Sequence, residues 1–536
     1  MAYLLAFCGT LSVTSIASAA APKPDAPPAG IVPVTVTLDQ VLERFHAVEG
    51  TFGLKTYTED WEFDEFGLSG TEHDVHAGAD YRETTQVGPF HYEAGKFNGQ
   101  LWSQNENGLT ILATGFHERD EQSAEALLEN QKMLKERKLL GEIPGAVPHY
   151  VISSTSNGHP IWIFVNEATG YVDRFEESFS QGRLAVVFDD YRTTAGVVQP
   201  YHIGLSMVAG RHEEHADYRL VKFNGTGVVK TAELAIPANL RRLDEFPAGN
   251  VSVELPAKFI DSDIIVRLNV GGRGLDFVLD SGSSGIVFDR GVAQSLGLKR
   301  YGEQVATTAG TYVQSQIIVP EIAVGSIKMH DVAAYSLPFN YQAREDVKVV
   351  GLLGFDFIDD AVIKVDYFNK KVTAIEPSRF EPDFPDASAI PASLDDQVPV
   401  VEAQIGDALG EHFIVDTGSN TTLIFSQFAK DHPGDVKDQG LGSVVKGNFP
   451  YIFAEGVGGD LSLEPVQLKT FVFANTNFHE QVVFRTVGAA PFEGDDHDGL
   501  IGYQFLHFYD VYFDYGHNRV IFAPNDFLKK YKKPAR

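Results

Sequence analysis

Gly274-Leu-Asp-Phe-Val-Leu-Asp280-Ser281-Gly282-Ser283-Ser284-Gly285-Ile-Val-Phe288 is the stretch on which the fold turns. It reads as an apolar strand, an abrupt Asp-Ser-Gly turn and a second apolar strand. A second version runs Glu411-His-Phe-Ile-Val415-Asp416-Thr417-Gly418-Ser419-Asn420-Thr421-Thr-Leu-Ile-Phe425. Asp280 and Asp416 are 136 residues apart. A bare Asp-[Ser/Thr]-Gly arises by chance in roughly one in four chains of this length, given average composition. Alone it marks an Asx turn. Two copies in matched strand contexts carry much more weight.

Working outward, the parallel continues. Gly351-Leu-Leu-Gly354 begins 71 residues past Asp280, and Gly499-Leu-Ile-Gly502 begins 83 past Asp416. Each leads into a short apolar stretch, Phe355-Asp-Phe-Ile358 or Tyr503-Gln-Phe-Leu506, and then into a hairpin over 363–375 or 509–522. Residues 259–377 and 398–527 are therefore expected to be two copies of one β-rich lobe. A Pro-rich connector over 378–397 would join them.

This pattern resembles that of the aspartic proteases. Residues 259–527 look like a single-chain, pepsin-like enzyme built from two retropepsin-like β-barrel lobes, closer to bacterial retropepsin-like proteins than to disulfide-bearing pepsins. The resemblance implies catalytic aspartates at Asp280 and Asp416. It implies supporting hydroxyls at Ser281, Ser283, Thr417 and Ser419, and turn glycines at Gly282 and Gly418. The second motif departs by one residue: Asp416 to Phe425 is nine steps, whereas Asp280 to Phe288 is eight.

The chemistry fits those residue types. Two carboxyls about 3 Å apart cannot both ionise, so they share a proton and supply both a base and an acid. Water between them attacks a peptide carbonyl, with no metal or cofactor required. Ser283 and Ser419 are expected to donate to the outer carboxylate oxygens, which lowers carboxyl pKa values and predicts an optimum on the acid side of neutrality. Each lobe should offer a closing hairpin. The candidates are residues 305–313, with Gly310 and Tyr312, and residues 454–459, with Gly456 and Gly458. The expected partner is a peptide or protein substrate, and a monomer suffices to build the site.

Composition narrows the alternatives. Lys+Arg 43 against Asp+Glu 73 leaves a charge of −30, which argues against a nucleic-acid binder. The only cysteine is Cys8, inside the apolar run Leu4–Ala21. Residues 1–21 read as a signal peptide with an A-x-A site at Ala17-Ser18-Ala19, although a basic start is missing and the true start codon could lie upstream. Export to the periplasm or medium is expected, with no transmembrane segment after cleavage and no thiol chemistry.

Residues 22–34 read as a linker and 35–230 as an N-terminal α+β domain. Thr37–Val48 has helical spacing, with Thr37 and Gln40 as a capping box. Ala124–Lys138 reads as a second helix, and the remainder alternates as short strands such as Tyr57–Phe63 and Trp162–Val165. Residues 162–174, with Phe188–Arg192 leading into Val198–Pro200, loosely resemble the periplasmic lipoprotein-carrier half-barrel, which implies a sheet able to hold an apolar ligand or peptide. Residues 231–258 read as a junction and 528–536 as a frayed basic tail. His212-Glu-Glu-His215 lacks the i, i+4 spacing of a zinc-protease helix and reads as a polar turn. Residues 493–498 read as an acidic loop. The rival expectations are a non-catalytic peptide-binding scaffold of the same fold, and a lipid or peptide carrier acting through the N-terminal domain.

Overall fold

The computed structural model describes residues 25–46, 48, 51, 54–113, 135–156, 159–179, 182–209, 212–225, 228–307, 311–339, 341, 347–394, 397–438, 452–456, 459–487 and 497–532. The protein is mainly β, with several large sheets. It divides into two compact units, one of residues 1–239 with 301–307 and one of 240–300 with 308–536. Among the described residues no helix is long and apolar enough to cross a membrane.

The first unit is built on a 13-stranded sheet. Strands from Thr56–Glu65 to Thr110–Leu112 follow one another outward, and the later strands return so that His212–Asn224 pairs with Thr56–Glu65. Period-two alternation sets which side is buried. In Gly182–Asp189, Leu184, Val186 and Phe188 are buried while Val187 is exposed. The first expected helix is shorter than its pattern, running Leu38–Leu42. Its capping box is formed: Thr37 Oγ1 accepts from the Gln40 N–H at 3.3 Å, and Gln40 Oε1 accepts from the Thr37 N–H at 2.9 Å.

Three readings of the sequence are corrected here. The expected second helix ends in a strand instead: Lys135–Ile143 pairs antiparallel with His149–Ser156, and the earlier part of that pattern lies outside the described residues. Lys135 and Lys138 are paired with Thr155 and Ser153, and the same strand goes on to pack Leu140 and Ile143 against Val151, Trp162 and Phe164, so strand pairing overrides local helical spacing. His212–His215 opens the long strand His212–Asn224 rather than forming a turn, because its backbone is paired with His202–Ala209. The basic tail begins inside a helix, Asp526–Tyr531, capped by Asn525.

In the second unit the two halves repeat one arrangement. Arg273–Leu279, which leads into Asp280, lies parallel to Val349–Leu353, and that strand pairs antiparallel with Val287–Asp289. Ala408–Val415, which leads into Asp416, lies parallel to Gly499–Ile501, which pairs antiparallel with Leu423–Ile424. Phe277 and Phe288 are fully buried and meet edge to face at 5.0 Å, tying the strands on either side of the first turn. Burying each such ring is worth about 1.5–3 kcal/mol.

A six-stranded sheet is common to both halves. Val362–Asp366 of the first hairpin pairs antiparallel with Tyr509–Asp514 of the second, Val365 opposite Val511. The Pro-rich connector contributes its own strand, Ser388–Pro391, which pairs with Arg519–Pro524.

Candidate active site

Asp280 and Asp416 stand at the ends of the two equivalent parallel strands, and each strand is continued by one bond. The Asp280 N–H donates to Leu353 O at 3.1 Å, and the Asp416 N–H donates to Ile501 O at 3.0 Å. Each chain then folds back on its own carboxylate. The Gly282 N–H donates to Asp280 Oδ1 at 2.9 Å, and the Gly418 N–H to Asp416 Oδ1 at 2.7 Å.

The glycines also let the two turns face each other. A Cβ on Gly282 would lie 2.8 Å from Asp416 Cγ, and one on Gly418 would lie 2.7 Å from Asp280 Cγ. Each turn is thus in van der Waals contact with the opposite carboxyl. Any side chain larger than hydrogen would displace it.

The second residue of each motif locks the pair together. The Ser281 N–H donates to Thr417 Oγ1 at 3.0 Å, and the Thr417 N–H donates to Ser281 Oγ at 3.0 Å. Each hydroxyl also donates across to the other half. Ser281 Oγ donates to Val415 O and Thr417 Oγ1 to Leu279 O, both at 2.7 Å. Ser281 and Thr417 are buried, so these four reciprocal bonds satisfy groups that water does not reach.

Ser283 and Ser419 do something other than expected. Each hydroxyl donates two residues onward to a backbone carbonyl, Ser283 to Gly285 O and Ser419 to Thr421 O, both at 2.9 Å. They stabilise the turns and do not solvate the carboxylates. The local i to i+2 bond competes successfully because it needs no partner from another strand. The extra residue of the second motif is absorbed after this shared bond, since Ser419–Thr421 matches Ser283–Gly285. Behind both turns the Gly-apolar-apolar-Gly strands end in equivalent contacts. The Phe355 N–H donates to Ser283 O at 3.0 Å, and the Tyr503 N–H to Ser419 O at 2.9 Å.

The electrostatics follow from this enclosure. Burial pushes Asp280 well above the ordinary carboxyl range, and the adjacent Asp416 reinforces it. Burial also raises Asp416, against the N–H groups of Gly418 and Ser419 and the bond with Asp280. The two carboxyls lie close enough for each to bear on the other's proton affinity. The pair therefore holds a shared proton more tightly than an isolated carboxyl would, and its apparent pKa values belong to both groups.

The described parts of both hairpin candidates lie in paired strands, Arg300–Thr307 beside Thr311–Val324 and Ile452–Gly456 beside Gly459–Leu468. Tyr312 is half-buried and packs on the cluster containing Ile260, Val278 and Leu352. Gly456 ends the strand Ile452–Gly456 and pairs with Gly459. Gly310 and Gly458 lie outside the described residues, as does 493–496 of the expected acidic loop. Among the described residues no group of three or more His, Cys, Asp or Glu side chains is arranged to hold a metal ion.

Sequence reasoning missed the crossed bonds between the halves. The available signal was a hydroxyl in second position of both motifs, but its partners lie on strands of the other copy.

Comparison with known proteins bears on part of this. Residues 266–357 match the aspartyl protease family. No curated protein matches the chain. Among solved structures, an aspartic proteinase from Irpex lacteus aligns over 53% of this chain and 100% of its own, at 14% identity and a TM-score of 0.34. A LolA superfamily protein from Nitrosomonas europaea aligns over 38% of this chain and 98% of its own, at 13% identity and a TM-score of 0.29. The segment carrying Asp280 and the first Gly-apolar-apolar-Gly strand is therefore similar to aspartyl proteases.

Proposed function

We propose that this protein is an exported aspartic endopeptidase that cleaves peptide bonds with a water molecule activated between Asp280 and Asp416. The observation that carries the reading is the pair of facing carboxyls on equivalent loops, each held by its own glycine N–H and clasped through Ser281 and Thr417. Both aspartates remain partly exposed to solvent, so water and substrate have access.

In the proposed reaction one carboxyl is ionised and the other protonated. The ionised group removes a proton from water as its oxygen bonds to the peptide carbonyl carbon. The neutral group donates to the developing oxyanion. The carboxyl that took the water proton then passes it to the leaving nitrogen as the C–N bond breaks, and the collapsing diol returns a hydroxyl proton to the other carboxyl, so the dyad again holds one proton. The chain's own groups suffice for this balance. Export rests on Leu4–Ala21, and determination of the mature N-terminus tests it.

The shared proton predicts a bell-shaped profile. Activity falls where both carboxyls are protonated and again where neither is, and the raised affinity moves both limbs above the ordinary range. The maximum is expected between about pH 4 and 7, and a maximum above about 8 would count against the assignment.

The decisive experiment incubates the purified full chain with a peptide library at several pH values, beside Asp280→Asn and Asp416→Asn. Each substitution is expected to lower kcat by about a hundredfold to ten-thousandfold. Cleavage that persists in the variants would remove the dyad from the mechanism. Peptide binding without cleavage in the unsubstituted chain would favour a binding scaffold.

A further inference from the structure

Two tyrosines occupy equivalent places in the terminal hairpins. Tyr367 follows Gly354 by thirteen residues and Tyr515 follows Gly502 by thirteen, and each comes directly after an aspartate that ends a strand of the six-stranded sheet. They are 4% and 2% exposed. Neither hydroxyl has a hydrogen-bond partner among the described residues.

Their rings reach across the pseudo-repeat. Tyr367, from the first half, meets Tyr503 of the second edge to face at 5.7 Å. Tyr515, from the second, stacks on Phe355 of the first at 5.8 Å. Phe355 and Tyr503 are the residues whose N–H groups bond to Ser283 O and Ser419 O in the catalytic turns. Each phenol is therefore one ring contact from the opposite loop.

The phenols also lie in the field of the dyad. Tyr515 feels both Asp280 and Asp416, and Tyr367 feels Asp416. The other titratable groups facing them are Asp359, beside Tyr515, and Tyr503, beside Tyr367, with His507 stacked on Tyr503 at 5.0 Å. Burial keeps both phenols protonated, so each is a donor. A buried O–H is costly unless it is bonded, and one ordered water can join groups too far apart for direct contact.

We infer that Tyr367 and Tyr515 are positioning residues for the proposed reaction, which donate through ordered water to the dyad carboxyls from the side of the terminal hairpins. The inference rests on the dyad reading. Its consequence is that the phenols stabilise the ionised carboxyl, so their O–H groups limit how far burial raises the proton affinity of the pair. The pseudo-symmetry explains why two are present: one serves each half.

The test is Tyr367→Phe, Tyr515→Phe and the double variant in the full chain, because phenylalanine keeps the ring packing and removes only the O–H. Peptide cleavage should show kcat lowered several-fold with KM little changed. The pH profile should move upward by at least half a unit, most in the double variant. A structural role alone would lower the melting temperature and leave the profile in place, and that result overturns the proposal.

A second readout does not depend on turnover. Infrared difference titration of the carboxyls, with Asp280→Asn assigning the dyad bands, should show the same upward shift. An unmoved titration also overturns the proposal. Should the unsubstituted chain cleave nothing, the endopeptidase reading fails, while the titration still decides whether the phenols act on the carboxyls.

Discussion

Thr417 shows how much one hydroxyl does in this site. It accepts from the Ser281 N–H and donates to Leu279 O, both in the other half, and it is 2% exposed. Thr417→Val keeps the shape and removes both bonds, leaving a buried donor and a buried acceptor unpaired. At about 1–3 kcal/mol for each such group, the expected destabilisation is about 2–6 kcal/mol, with Thr417→Ser close to the unsubstituted chain. Urea unfolding measures it, and a midpoint unchanged in Thr417→Val would show that the clasp contributes nothing to stability. The same residue marks the limit of legibility at this scale. A hydroxyl after each aspartate is visible in the sequence, but the sequence points to Ser283 as the group that serves the carboxylate and assigns Ser281 no contact of its own. Only the strand arrangement distinguishes them, because Ser283 finds a local carbonyl while Ser281 faces the partner loop.

At the scale of elements, the two Gly-apolar-apolar-Gly strands were legible because close approach demands glycine in both copies. A Cβ on Gly354 would lie 2.4 Å from both Gly285 O and Ser283 O, and one on Gly502 would lie 2.1 Å from Thr421 O. These neighbours are backbone and cannot swing aside. Gly354→Ala is therefore expected to destabilise by at least about 2 kcal/mol and to lower kcat by disturbing the turn that carries Asp280. Parallel unfolding and kinetic measurements check this. A fully active variant would mean that the loop yields more easily than its bonds suggest. The strands of the first unit were equally readable where alternation was clean, as in Trp162–Val165. Lys135–Lys138 was not, since the helical spacing of 124–138 describes the isolated segment and the partner strand His149–Ser156 decides the outcome. Gly141 shows the same dependence on distant chain: it has φ +146, and a Cβ there would meet Val32 O at 2.3 Å.

At the scale of the whole molecule, the charge of −30 is less informative than where its carboxyls lie. Burial pushes Glu65 and Asp359 up to about 7. Burial and the neighbouring Asp360 hold Asp244 well above the carboxyl range, and its two carboxylate oxygens have no partner among the described residues. A carboxyl raised in the folded state contributes stability below its unfolded pKa and loses it as pH rises through the folded value. Others act in the opposite sense. His202 holds Asp217 low and Arg242 holds Glu376 low, so their contribution is present above the ordinary range and is lost in acid. The melting temperature should therefore peak between about pH 4.5 and 6 and decline toward pH 8. Self-repulsion of a strongly negative chain predicts a decline as well, and two arms of one calorimetric experiment separate the causes. Added salt should recover the part due to repulsion between exposed charges and leave the buried part. Asp244→Asn should raise the melting temperature at pH 8 in low and high salt alike, and change little near pH 2, where Asp244 is protonated in both states. A gain of equal size at both pH values would show that Asp244 acts by packing rather than by its charge.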